Sequence, residues 1–300
     1  MNTLSNTLFL VAFLGQIFLT SYVMPSLLLR RMGRVLEEYP PSRYPKLYPR
    51  PIEHYRLGHA VFRWANWALV LVGFGVLYAA FYLDGGTFAN DGYISEMWPT
   101  AYGMLQFLPL VALEIAGFGQ FRMMREANTQ TKRSAELRPR RLLESMSIPL
   151  LALALLSLAA FVCVLLYLND FNLAWGSDAL ENLSTVLGGN LFMLLVGLWQ
   201  TYGRKLDPHQ SAADRQRMVR MQWGSLLLVS TVLSLFLLVR ALGDKFDQHF
   251  LDPALMSLYF QLIVVASIGF LLSQTRIEDI DFEVYASDQP SQDGEHKHAI

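Results

Sequence analysis

The sequence holds 300 residues, 53% hydrophobic and only 16% charged, with 24 Lys and Arg against 25 Asp and Glu and a mean hydropathy of +0.30. Apolar residues gather in long blocks with the charges between them, which excludes an ordinary soluble domain and points to a polytopic membrane protein. The single Cys163 excludes an intrachain disulfide and a multi-cysteine metal site, and the near-zero net charge says nothing about partners until its distribution is read.

About 20 consecutive apolar residues cross roughly 30 Å of hydrocarbon. By that measure the chain is an all-α protein of seven transmembrane helices, with spans at about 8–29, 63–83, 99–121, 148–168, 185–202, 222–242 and 254–272. The first span is preceded by MNTLSNT, which has no Lys or Arg, and followed at once by Arg30, Arg31 and Arg34. A cleaved signal peptide has the reverse charge order, so this span reads as an uncleaved anchor with its N-terminus outside.

The loop that follows, EEYPPSRYPKLYPRP, contains three Tyr-Pro dipeptides, at Tyr39, Tyr44 and Tyr48. Proline fixes φ and pushes the residue before it to extended backbone, so the loop is predicted to be a stiff polyproline-like strip rather than a helix. It would lie on the membrane surface as a connector, or serve as a docking strip for a protein partner.

The loop charges set the orientation. Arg43, Lys46, Arg50 and Arg56 follow the first span, Arg122, Arg125, Lys132, Arg133, Arg138, Arg140 and Arg141 the third, and Arg204, Lys205, Arg215, Arg217 and Arg220 the fifth. Loops 84–98 and 169–184 contain no Lys or Arg, and of the 24 basic residues only Arg240 and Lys245 fall on their side, leaving 22 on the other. The positive-inside rule then places the N-terminus outside, the C-terminus inside and the chain in a plasma membrane, the inner membrane if the source is bacterial. Tyr78, Tyr82, Trp98, Tyr102, Tyr167 and Tyr259 toward one rim, and Trp64, Trp67, Trp199, Tyr202 and Trp223 toward the other, read as two interfacial belts. Spans two and three, four and five, and six and seven suggest a helical-hairpin repeat of roughly 75–85 residues.

The third span holds the only carboxylate well inside a span, Glu114. An ionised group at such depth costs at least ~2.5 kcal/mol on insertion scales. Counted back from Arg122 at ~1.5 Å per residue, it lies about 12 Å inside the span end. Pro109 precedes it by five residues, and Gln106 by eight, about 80° around the helix. Glu114 reads either as a coupling carboxylate in a cavity or as one half of an ion pair, with Arg63 at the same end of the second span the best-placed cation. Gln16, Asn66, Asn190, Gln200 and Gln261 are further in-span polar groups, whose default role is interhelical hydrogen bonding at ~0.6 kcal/mol each. Gly188 and Gly189 beside Asn190 would admit close helix approach and loosen the backbone, while Gly73, Gly75, Gly117, Gly119, Ser230 and Ser234 read as packing positions.

Residues 1–284 thus form a transmembrane domain and 285–300 a disordered, polar inner tail. His209 and Asp214 have the H-x4-D spacing of acyltransferases but no soluble domain around them, and G-x-S-x-G, H-E-x-x-H and phosphate-binding glycine loops are absent. No metal, cofactor or nucleic-acid partner is expected; the bilayer is, and a protein partner or a second copy is compatible. The functional readings are, in order, a small-solute or ion transporter with Glu114 as coupling group and Gln106, Arg63, Asn190 and Gln261 as its polar neighbours, a non-catalytic membrane subunit or scaffold, and a membrane enzyme.

Overall fold

The structure is a computed structural model that describes residues 2–82, 95–128, 142–171, 176–203 and 207–286. Seven helices are long and apolar enough to cross a membrane: α1 (Leu4–Glu38), α2 (Ile52–Tyr82), α3 (Met97–Ala127), α4 (Ile148–Leu168), α5 (Ala179–Gly203), α6 (Ala213–Lys245) and α7 (His249–Gln274). No strand occurs among the described residues. Several helices outrun their apolar spans; α1 continues past Leu29 and α2 starts eleven residues before Arg63. Hydropathy marks where lipid would end, whereas backbone hydrogen bonding continues into water.

The helices form two groups. In the first, α1 packs along α7 and α2, α2 along α3, and α3 along α7; in the second, α4 and α5 both pack on α6. Contact between α6 and α7 joins them. The first core is aromatic, with Phe9, Phe13, Ile17, Val70, Ala80 and Tyr102 buried together and the Phe13 ring 5.2 Å from both Phe9 and Tyr102. The second is built on Phe161, Leu165, Val186, Leu233 and Leu237. Tyr102 (1% exposed) and Trp223 (2%) therefore belong to the interior and not to interfacial belts, while Tyr78, Tyr82, Tyr167, Trp64 and Trp67 are exposed as a belt requires. Close approach is made at Gly103, where a Cβ would fall 2.5 Å from the Phe260 ring, and at Gly197, against Trp223. Gly75, Gly117 and Gly119 face open space instead of packing.

Among the described residues three π turns interrupt the helices, at Leu19–Val23 in α1, Trp199–Gly203 in α5 and Val265–Gly269 in α7. Gly188 and Gly189 leave α5 regular; its irregular turn comes ten residues later. Helices α1 and α7 run parallel, since Ser5 reaches Phe250, Ala12 meets Gln261 and Met24 lies beside Gly269. Their two π turns therefore stand at one level.

The end of α1, the loop after it, the start of α6 and the segment after α7 meet at one end of the molecule, the basic end. There the Tyr-Pro loop is not wholly extended. Pro45–Leu47 closes a single 3-10 turn, and the Arg43 and Tyr44 amides donate to the Pro40 carbonyl at 3.1 and 3.0 Å. The fixed φ of proline suits the first position of such a turn as well as it suits a polyproline strip.

Candidate functional site

Gln16, Ser21, Tyr102 and Gln106, all buried in the first group, form one network. Gln16 (α1) and Gln106 (α3), both at most 2% exposed, are joined by Gln16 Nε2 donating to Gln106 Oε1 at 3.0 Å, and Gln16 also donates to the Pro99 carbonyl at 3.3 Å. Gln106 Nε2 donates to Ser21 Oγ (2.7 Å) and to the Gln16 carbonyl (3.2 Å), Ser21 meets the Tyr102 hydroxyl (3.2 Å), and that hydroxyl donates to the Leu69 carbonyl of α2 (2.9 Å). A relay thus crosses three helices beside the π turn of α1, and each member polarises the next. Gln16 Oε1 and Thr20 Oγ1 are buried in the same region with no hydrogen-bond partner among the described residues. Gln106 stood out in the sequence as an in-span amide. Tyr102 and Ser21, its partners, carry no sequence signal that separates them from other span residues.

Glu114 is not part of this network. It lies on the exposed side of α3, on a stretch where no residue between Gln106 and Met124 is buried. Met104, Leu108, Val111 and Ile115, each 52–65% exposed, form an apolar stripe along the same helix. Near the basic end of this stretch Phe118 approaches Trp199 of α5 at 5.8 Å. Arg63 is also exposed and borders a cavity with Leu29, Arg56, His59 and Ala60, between α1 and α2.

Asn190 and Gln261 tie helices together. Asn190 accepts from Ser230 and donates to Ser234 of α6 (3.3 Å) and to the Val186 carbonyl (2.7 Å). Gln261 donates to the Ala12 carbonyl of α1 at 2.9 Å and to the Ser257 carbonyl at 3.2 Å. Of the five in-span candidates, then, the structure joins none to another.

The three tyrosines of the first loop meet the chain's own C-terminal segment or the end of α1. Tyr39 stacks on Phe282 with ring centroids 3.7 Å apart, and Tyr44, 3% exposed, donates to Glu283 Oε1 at 3.0 Å, an oxygen that also receives Arg43 at 3.2 Å. Tyr48 donates to the Val35 carbonyl (3.4 Å), and burial, with Tyr55 beside it, pushes its phenol up to about 12. Ile277, Phe282 and Tyr285 complete this small core. Tyr285 donates to Asp207 Oδ2 at 2.7 Å, and burial followed by the nearby carboxylates drives its phenol well above the ordinary tyrosine range. Asp214 accepts the Ser211 hydroxyl (2.9 Å) and the Asp281 amide (3.2 Å), so it secures the start of α6 and the segment together, while the His209 and Tyr285 rings meet in a T-shaped contact. Arg31 and Arg217 add bonds to the Thr275 and Asp279 carbonyls, both at 2.8 Å. Tyr285, which the sequence places in the tail, is thus buried in this cap. The rest of that tail, 287–300, and the basic residues Lys132, Arg133, Arg138, Arg140, Arg141, Arg204 and Lys205 lie outside the described residues.

At the opposite end, Arg240 of α6 meets Glu96 just before α3 at 2.8 Å. His249 Nδ1 lies 3.3 Å from Asp244 and 3.6 Å from Asp252, a cluster the sequence reading passed over. A protonated His249 would bridge the two carboxylates. No protein-family model, curated protein or solved structure matches the chain.

Proposed function

We propose that this chain is a non-catalytic membrane subunit, N-terminus outside and C-terminus inside a plasma membrane, that packs against a further membrane helix through the half of α3 bearing Glu114. The observation that carries this reading is the exposed carboxylate within residues 107–119, a stretch of a span with no buried residue and otherwise apolar side chains. An exposed carboxylate at that depth costs at least ~2.5 kcal/mol against hydrocarbon, and a further helix covering this face would shield it from lipid. The in-span amides Gln106, Asn190 and Gln261 are meanwhile engaged in helix–helix hydrogen bonds, which suits a structural body better than a solute path. The test is a photo-crosslinking residue at Ile115, with Leu155 on the exposed side of α4 as control, in native membranes. A discrete protein adduct from position 115 alone is the expected result; lipid adducts alone at both positions would refute it. Alkaline phosphatase fused after residue 90 should be active and after residue 210 inactive, and the reverse would invert the topology.

A second reading, a small-solute or ion transporter, is favoured by the level π turns of α1 and α7 and by the partnerless Gln16 Oε1 and Thr20 Oγ1. π turns recur at functional sites, and unsatisfied buried oxygens suit a cation or a water. A melting temperature raised by Na+ or K+ in wild type but not in Thr20→Val would support it; indifference to both ions would remove it.

A further inference from the structure

We infer that Arg56, His59 and Arg63 of α2, with Leu29 of α1, form a binding site for an anionic phospholipid at the basic end of the bundle. Positions 56, 59 and 63 share one helical face, and Arg56 and Arg63 stand about 10.5 Å apart along the axis. That face borders a cavity of about 260 Å³ lined by these three residues, Leu29 and Ala60. The site therefore presents two guanidinium groups and an imidazole beside an apolar wall.

Its depth is that of a lipid headgroup. The apolar run of α1 ends at Leu29 and is followed by Arg30 and Arg31, while that of α2 begins beyond Arg63 with Trp64 and Trp67, 68% and 46% exposed. Indole rings favour the headgroup level, so the cavity straddles the boundary between phosphate and acyl chain. Charge selects the ligand. Arg34, Arg43 and Arg217 at this end face Glu278, Glu283 and Asp279 of the C-terminal segment. Among the described residues no carboxylate pairs with Arg56 or Arg63. A phosphodiester accepts paired N–H donors from a guanidinium, and basic pockets between transmembrane helices suit anionic headgroups. The glycerol and ester region would then rest on Leu29 and Ala60, with the acyl chains running past Arg63 into the bilayer, an anchorage that a free phosphate lacks. This site requires only that the chain be embedded in a membrane, and stands whether or not a further subunit packs on α3.

The experiment is lipid binding to the full chain in detergent, followed by native mass spectrometry and melting temperature. Its probes are a phosphatidylglycerol, the phosphatidylcholine with the same acyl chains, and inorganic phosphate. Phosphatidylglycerol should bind and raise the melting temperature where the other two do not. The double variant R56Q/R63Q, losing two basic contacts to the headgroup, should bind it about 30-fold more weakly. Both side chains are exposed, so the variant should melt like wild type in lipid-free detergent. R122Q/R276Q, which removes the same charge elsewhere on the basic half, should keep wild-type affinity. Equal binding of the two lipids, retained affinity in R56Q/R63Q, or equal loss in R122Q/R276Q would overturn the assignment. A stabilisation by inorganic phosphate as large as that by phosphatidylglycerol would overturn the lipid in favour of a free anion.

Discussion

The two halves of α3 are made of similar residues and live in different surroundings. From Pro99 to Gln106 the helix buries positions 99, 102, 103 and 106, a stripe at helical spacing that meets α1, α2 and Phe260 of α7. After Gln106 the stripe stops, Pro109 follows, and burial returns only at Met124. Each half carries a polar group. The amide, which donates and accepts, is enclosed by complementary partners; the carboxylate, which only accepts when ionised, stays on the open face. Depth alone does not decide where a polar side chain goes; the face it occupies does, and an offset of about 80° separates an interior from an exterior position.

The contrast can be broken by substitution in each half. Tyr102→Ala should have the largest effect, a loss of about 3–5 kcal/mol in unfolding free energy, because a fully buried ring and a helix–helix hydrogen bond go together. Detergent-based denaturation would measure it, and a loss under 1 kcal/mol would mean that the enclosed half is not packed as described. Gln106→Leu should cost about 2 kcal/mol by removing one hydrogen bond each from the Gln16 amide, the Gln16 carbonyl and Ser21, and Gln16→Leu added to it should recover part of the loss. The glycines make a finer comparison. Gly103→Ala pushes a methyl into the Phe260 ring and should destabilise by about 1–3 kcal/mol. Gly119→Ala meets nothing and should be neutral or stabilising by up to ~1 kcal/mol through helix propensity. Equal melting shifts in the two variants would erase the distinction between the halves. The pH-dependent effect lies outside α3, at Tyr48. Its folded-state pKa is about 12, above the ordinary value near 10, so its contribution to stability is complete below pH 10 and is lost as pH rises through 12. The phenolate absorbance of Tyr48, read as the difference between folded wild type and folded Tyr48→Phe, should therefore rise about two pH units above that of an unfolded tyrosine.

The seven helices were legible because length and hydropathy fix them without knowledge of neighbours. Glu114 was legible as an anomaly, but its direction was not. Both faces of α3 around it are apolar, so the sequence holds no moment to tell inward from outward. Tyr102 and Trp223 sit near span ends where lipid-facing aromatics are expected, and only tertiary packing separates them from Tyr78 or Trp64. The loop tyrosines stand out by their prolines, yet Tyr39 and Tyr44 touch residues some 240 positions away in the chain. The covering segment was hidden by its acids: Ile277, Ile280, Phe282, Val284 and Tyr285 alternate with Glu278, Asp279, Asp281 and Glu283, and averaging over such a stretch reports polarity where side chains in fact sort to two sides.

The pairing of the first helix with the last has a consequence in time. The Ala12 carbonyl receives Gln261, 249 residues later, and Ser5 donates to Phe250, 245 residues later. At a synthesis rate of about 5–20 residues per second, α1 resides in the membrane for some 12–50 s before its neighbour exists. Gln16 and Ser21 can meet α3 in that interval, so the polar side of α1 is satisfied by an early partner while its side toward α7 waits in lipid. Contact between α1 and α7 therefore forms only after the six helices before α7 have been made, and the segment that fastens the cap emerges after every helix it must hold.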